Sequence, residues 1–176
     1  MQATEPRHIL IVSGTRPEVI KLAPVYHALQ GSSWARPIWL HTGQHGDMAA
    51  QMLDCFSIQP DFTLERRGQS LPEFSAGCRL HLDAVMAQRA WSAVLVQGDT
   101  ESAFQGALAG FYRQVPVGHV EAGLRTPSLL RPFPEEGLRR MITRIAAMHF
   151  APTVRAARAL TAEGVAAQDI AITGNT

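Results

Sequence analysis

Short apolar runs of strand length alternate with helical periodicity from one end of this chain to the other. That alternation limits the possible folds more than any other feature. His8–Ser13 (HILIVS) is rich in Ile and Val and is closed by Gly14, the pattern of a strand and its turn. Thr15-Arg16-Pro17-Glu18 follows, with Thr and Glu at capping-box spacing and Pro in the first turn of the expected helix. Ile38–His41 reads as a second strand, and Asp47 is placed to cap a helix in which Met48, Met52, Leu53 and Phe56 share a face. A linker through Pro60 and Gly68 leads to Ser70-Leu71-Pro72-Glu73, a second capping box. Its helix stacks Phe74, Cys78, Leu82, Val85 and Met86 at helical spacing.

The second half repeats the scheme. Ala93–Gly98 (AVLVQG) is apolar on both sides of its alternation, as a parallel strand covered on both faces requires. Phe104, Leu108, Phe111 and Tyr112 mark the buried stripe expected of the next helix, and Pro116–Val120 forms a strand. A loop with Pro127, Pro132 and Pro134 precedes a helix over 135–146. Strand 148–151, helix 154–163 and strand 170–173 complete the pattern. Strand–helix units joined by short loops build an α/β fold with a parallel, doubly wound sheet, Rossmann-like in the broad sense. Leu10, Val12, Val94, Val96, Phe104, Leu108, Val117 and Phe150 are the expected core.

At 176 residues the chain suffices for one full hydrophobic core, and its net charge of +1 argues against a nucleic-acid or polyanion surface. No apolar run approaches the roughly 20 residues that cross a bilayer, and the start MQATEPRHILIV lacks signal-peptide features, so a cytoplasmic protein is expected. Cys55 and Cys78 have neither CxxC spacing nor zinc-site partners and are read as buried free thiols. The chain stops at Gly174-Asn175-Thr176, a turn directly after a strand, which reads as a cut at a domain boundary.

In an open α/β sheet, ligands bind beyond the carboxyl ends of the strands. Four such ends carry unusual chemistry: Gly14-Thr15-Arg16, His41-Thr42-Gly43-Gln44-His45, Gly98-Asp99-Thr100 and His119-Val120-Glu121. Taken singly, each has a bland reading. Arg16 is a solvated charge beside a helix cap, Asp99 a carboxylate favoured at a helix start, and His119 a hydrogen-bonded core histidine. Glu121 resists such a reading, because nothing local needs a carboxylate there. None of these turns is a Walker A loop or a GxGxxG fingerprint. Together, Asp99 and Glu121 should converge with Arg16, and the Pro-rich loop can bring Glu135 over them. Clustered carboxylates raise the proton affinity of at least one member and suit acid–base work, while a nearby Arg suits phosphate. The residues alone therefore point to an enzyme that moves protons on a phosphorylated or nucleotide-bearing substrate. No metal-ligand spacing indicates a metal.

A resemblance sharpens this reading. GTRPEVIKLAPV at 14–25, TGQH at 42–45, VQGDT at 96–100, GHVEAGLRT at 118–126, PFPEEGLRR at 132–140 and TGNT at 173–176 occur in order. The set resembles the non-hydrolysing bacterial UDP-N-acetylglucosamine 2-epimerases. The resemblance implies the amino-terminal Rossmann-like domain of a two-domain, GT-B-type fold, with a second, UDP-binding domain absent from this chain. It further implies interconversion of UDP-GlcNAc and UDP-ManNAc through loss and re-addition of UDP, by way of 2-acetamidoglucal. By the same resemblance no NAD, metal or other cofactor is expected to be consumed, the full-length form is expected to be a homodimer, and the product is expected to feed cell-surface polysaccharide biosynthesis. Motif for motif, Asp99, Glu121 and Glu135 fall on the family's catalytic carboxylates. Arg16, Lys21, His119 and Arg125 fall on substrate-binding positions. Gln44, His45 and Gln69 match the region where a second UDP-GlcNAc binds as activator. This sequence departs from the family pattern at Gln97, Glu101 and Leu138, and Glu101 puts a negative charge near an expected diphosphate. The competing expectations are half of a GT-B glycosyltransferase, a hydrolysing epimerase, and a non-catalytic nucleotide-sugar-binding module.

Overall fold

The computed structural model describes residues 5–66 and 70–176. Among these residues seven parallel strands form one sheet: β1 (Arg7–Ser13), β2 (Ala35–His41), β3 (Phe62–Thr63), β4 (Ala93–Gln97), β5 (Val117–Val120), β6 (Met148–Ala151) and β7 (Ile170–Ile172). Their order is β3-β2-β1-β4-β5-β6-β7. The chain winds outward from β1 to β3, then returns through a long crossover to β4 beside β1 and winds the other way. The β1/β4 junction is therefore the topological switch point, where such sheets open a crevice. Among the described residues six α-helices connect the strands: α1 (Arg16–Gln30), α2 (Gly46–Cys55), α3 (Leu71–Met86), α4 (Glu101–Tyr112), α5 (Glu135–Ile145) and α6 (Val154–Ala162). None of the described helices is long and apolar enough to cross a membrane.

The period-2 alternation of the strands sorts the core into two layers. Leu10, Val12, Val94, Val96 and Val117 pack with α3, α4 and α5, whereas Ile11 and Trp39 pack with Val19, Leu22 and Ala23 of α1 and Leu53 of α2. Each such aliphatic burial contributes roughly 2 kcal/mol. α3 follows its expected stripe, with Phe74, Cys78, Leu82, Val85 and Met86 all buried.

α4 does not follow its expected stripe. Phe111 and Tyr112 are 52% and 61% exposed, and the face laid on the sheet consists of Ala103, Gly106, Ala107 and Gly110. A Cβ on Gly106 would sit 3.0 Å from the side chains of both Val12 and Val96, so the small residues set how closely this helix approaches the switch point. Phe104 packs at the margin of the core, and Leu108 and Phe150 are half-buried. Three smaller expectations also change. α2 starts at Gly46 with His45 as its cap, so Asp47 lies within the first turn, and Met48 faces solvent. Cys55, at the end of α2, is exposed, whereas Cys78 is buried, where burial pushes its thiol up to about 12. The linker between α2 and α3 contains β3, whose two residues are too few to show a pattern.

Candidate active site

A cavity of about 250 Å³ opens at the carboxyl edge of the sheet over the β1/β4 junction. Asp99, Glu121 and Glu135 all line it, together with Gln44 and His45 from the end of β2. Different local devices bring each side chain there. Gly98 has φ +73, a turn that favours glycine, and it releases the chain from β4 so that Asp99 and Thr100 lead into α4. Thr100 is the α4 cap, its Oγ1 accepting the Ala103 N–H at 3.0 Å. Glu121 has φ +61, a left-handed conformation for a residue with a side chain. That turn at the end of β5 aims its carboxylate sideways, toward β4 and α1. Glu135 is the first residue of α5, carried in by the proline loop.

The acids arrive with their partners. Lys21 of α1 forms an ion pair with Glu121, and Gln97 Nε2 donates to the other Glu121 oxygen. Lys21 also donates to Asn175 Oδ1 at 2.9 Å. Arg139 of α5 forms an ion pair with Asp99 and reaches Glu136 at 3.3 Å. Glu135 Oε2 is buried with no hydrogen-bond partner among the described residues, so one oxygen of this carboxylate is left for a ligand. Two further acids line the cavity. Glu18 is fully buried and accepts the amides of Gly14 at 2.8 Å and Thr15 at 2.6 Å, together with the Thr100 hydroxyl at 2.6 Å. Burial pushes its carboxyl up, against the pull of the Thr100 bond and those amides. Glu101 is buried and accepts from Gln105 Nε2 at 2.8 Å.

Other expected residues are employed differently. Arg16 opens α1 between Thr15 and Pro17, both of which line the cavity, but its own side chain is exposed and outside the lining. His119 lies buried beneath the site, and its Nε2 donates to Gly98 O at 2.7 Å, pinning the turn before Asp99. Burial pushes its imidazole down to about 4. It positions the site and does not face it. Arg125 pairs with Glu163 at 2.6 Å and donates to Thr143 Oγ1 at 2.8 Å, outside this cavity. In the HVEAGLRT stretch, then, Glu121 serves the cavity, while His119 and Arg125 hold the walls around it. Gln44 Oε1 accepts from the Ser102 amide at 3.0 Å and its hydroxyl at 2.6 Å, tying the β2 turn to α4. Gln69 lies outside the described residues.

Sequence reasoning missed Arg139 and Glu18 as site residues. Arg139 stands four residues after Glu135 and therefore on the same face of α5, a spacing that could have found it. Glu18 was legible only as a capping residue; its contact with Thr100 spans 82 positions of the chain.

Fold and cavity together define a doubly wound α/β protein with a carboxylate-lined cleft at its switch point. A family model described as UDP-N-acetylglucosamine 2-epimerase matches residues 27–176, and the chain belongs to that family. The UDP-N-acetylglucosamine 2-epimerase of Escherichia coli strain K12 is 44% identical over 96% of this chain and 45% of its own length. The probable UDP-N-acetylglucosamine 2-epimerase of Ralstonia nicotianae is 44% identical over 97% of this chain and 46% of its own. Among solved structures, the UDP-GlcNAc 2-epimerase from Neisseria meningitidis bound to UDP-GlcNAc superposes with TM-score 0.92. It is 40% identical, and the match covers 96% of this chain and 46% of that one. The S. aureus MnaA–UDP co-structure has TM-score 0.93 and 42% identity, covering 96% and 45%. The chain thus spans about half the length of the relatives it matches. The lipopolysaccharide outer core galactosyltransferase WaaB, 15% identical with TM-score 0.67, shares the fold alone.

Proposed function

We propose that this chain forms the amino-terminal half of a UDP-N-acetylglucosamine 2-epimerase that interconverts UDP-GlcNAc and UDP-ManNAc. The observation that carries the reading is the convergence of Asp99, Glu121 and Glu135 on one cavity at the sheet's switch point. Inversion at C2 needs a carboxylate to remove the C2 proton while the C1–O bond breaks and UDP departs with its electrons, leaving 2-acetamidoglucal. Return of a proton to the other face of C2, with UDP re-forming the C1–O bond, completes the change. A proton-accepting and a proton-donating group on opposite sides of one carbon meet that need, and cavity carboxylates on separate elements supply them. Lys21 and Gln97 fix the Glu121 carboxylate, and Arg139 fixes that of Asp99, so both are oriented before substrate arrives.

The same reading gives the working enzyme a second domain that closes the cavity and holds the uridine diphosphate. It makes the enzyme a homodimer acting in the cytoplasm to supply cell-surface polysaccharide synthesis, with Gln44 and His45 near an activating second nucleotide sugar. The test joins this chain to the remaining half of the Escherichia coli relative and incubates the product with UDP-GlcNAc in D₂O. Deuterium at C2 of both epimers without any added acceptor is the expected result. Free ManNAc would indicate a hydrolysing enzyme, and no change without an acceptor sugar would favour a glycosyltransferase.

A further inference from the structure

A second cavity, of about 450 Å³, opens beside the first. Arg125, Arg139 and Arg155 line it, with Thr153 at the start of α6, and none of its described lining residues is acidic. The stretch of chain that supplies most of this lining is rich in arginine. Residues 125–163 contain seven arginines and three glutamates, whereas the rest of the chain has nine basic and twelve acidic residues. A net charge near neutral for the chain therefore hides a basic segment.

The arginines are not all spent on the fold. Arg125 is committed to Glu163 and Thr143. Arg139 pairs with Asp99 and Glu136, yet its Nε is buried with no hydrogen-bond partner among the described residues. Arg155 is exposed and makes no hydrogen bond or ion pair with any described residue. Thr153 caps α6, its Oγ1 taking the Ala156 amide at 3.1 Å, and the remaining amides of that first turn have no carbonyl within the helix to receive them. The wall is close-fitting: Gly123 has φ +89, and a Cβ there would lie 2.3 Å from Ala156 O, so backbone rests directly on the first turn of α6.

We infer that this cavity binds a phosphate-sized oxyanion, at a site separate from the carboxylate cavity and joined to it through Arg139. Guanidinium forks and a helix amino terminus are complementary to tetrahedral oxyanions, and no lining carboxylate opposes one. Arg139 stands between the two cavities, so an anion in the second shares its guanidinium with Asp99 in the first. The inference concerns anion recognition only and stands or falls separately from the sugar-nucleotide reading.

The experiment titrates inorganic phosphate into the ¹⁵N-labelled chain at constant ionic strength and follows backbone amide shifts. Saturable shifts centred on Thr153–Ala156 are expected. Arg155→Gln, at an exposed position, should weaken the phosphate affinity about tenfold, the loss of one charge-assisted contact. Arg158→Gln makes the same charge change on the same helix outside the cavity and should leave the affinity nearly unchanged. Shifts that fail to saturate, or equal weakening by both variants, overturn the site in favour of a diffuse electrostatic field. A parallel titration with UDP separates the possible sources. The same shifts with UDP identify a nucleotide diphosphate as an occupant, and shifts with phosphate alone identify a free anion.

Discussion

The Lys21 ammonium and the Glu121 carboxylate meet as an ion pair across 100 positions of sequence, joining α1 to the end of β5. Lys21 also holds Asn175, so one ammonium links an acid of the cavity to the segment after β7. In a two-domain form, Lys21→Met should lower kcat roughly 10-fold or more while KM changes little, because the group acts on the orientation of Glu121. Lys21→Arg should restore part of the rate. A change in KM alone would place Lys21 on the substrate and not behind Glu121.

The cavity carboxylates themselves should tolerate neutralisation structurally. In the two-domain form, Asp99→Asn and Glu121→Gln are expected to lose about 10²-fold or more in rate, the usual scale of acid–base groups. Their melting temperatures should stay close to the parent's, since both side chains sit at the sheet's edge and outside the apolar layers. Near-normal turnover by either variant would remove that residue from the chemistry.

Glu136 should matter for stability. It is fully buried, accepts the Thr126 amide at 3.0 Å, and pairs with Arg140 at 2.7 Å and Arg139 at 3.3 Å. Glu136→Ala removes the anion that these groups surround and should cost about 3 kcal/mol, read as a lower urea midpoint. A loss below the error of the measurement would mean that solvent screens the pairs.

The chain alone should fold yet fail to turn over UDP-GlcNAc. Its two apolar layers are built from its own strands and helices, but its carboxylate cavity opens to water on one side. Catalysis depends on holding the reacting atoms to within about an ångström and on excluding water. Binding of UDP-GlcNAc is expected in the millimolar range, about −4 kcal/mol. An NMR time course showing UDP-ManNAc, 2-acetamidoglucal or UDP at the rate of a two-domain relative would sink this expectation.

Acid should destabilise the fold before its ion pairs titrate. Burial pushes the imidazoles of His41 and His119 down to about 4 and lowers that of His149. The unfolded chain protonates these groups near an ordinary value of about 6.5, so it binds more protons than the folded one in between. Their contribution is whole above that value and is lost as the pH falls toward 4, by up to about 3 kcal/mol for each of His41 and His119. Glu18 works the other way, because burial raises its carboxyl and lets the folded chain take up a proton early. Urea midpoints should therefore fall between pH 7 and 5. A midpoint that rises on acidification would show that Glu18 outweighs the histidines.

The parallel sheet and the edge that carries the cavity were legible because buried parallel strands are written as short apolar runs, and their ends must share one edge. α4 misled the reading because aromatic residues usually mark a buried face. Here Ala103, Gly106, Ala107 and Gly110 face the sheet and bring the helix close, leaving Phe111 and Tyr112 in solvent. In the site, Glu121 stood out as an acid without a local duty, and Asp99 and Glu135 gained weight only from the sheet edge that brings them beside it. The resemblance placed His119 and Arg125 among the substrate-binding residues, but their partners, Gly98 O and Glu163, lie 21 and 38 positions away. Pairings across such distances leave no local pattern, which is also why Arg139 and Lys21 were not recognised as counter-charges.

The left-handed backbone at Glu121 has a consequence for how this protein can change over time. A residue with a side chain is strained there by about 1 kcal/mol, and glycine would relieve the strain. Position 121 is thus one where foldability and chemistry favour different residues. On the proposed reading, a lineage that no longer used the reaction would gain by drifting to glycine there.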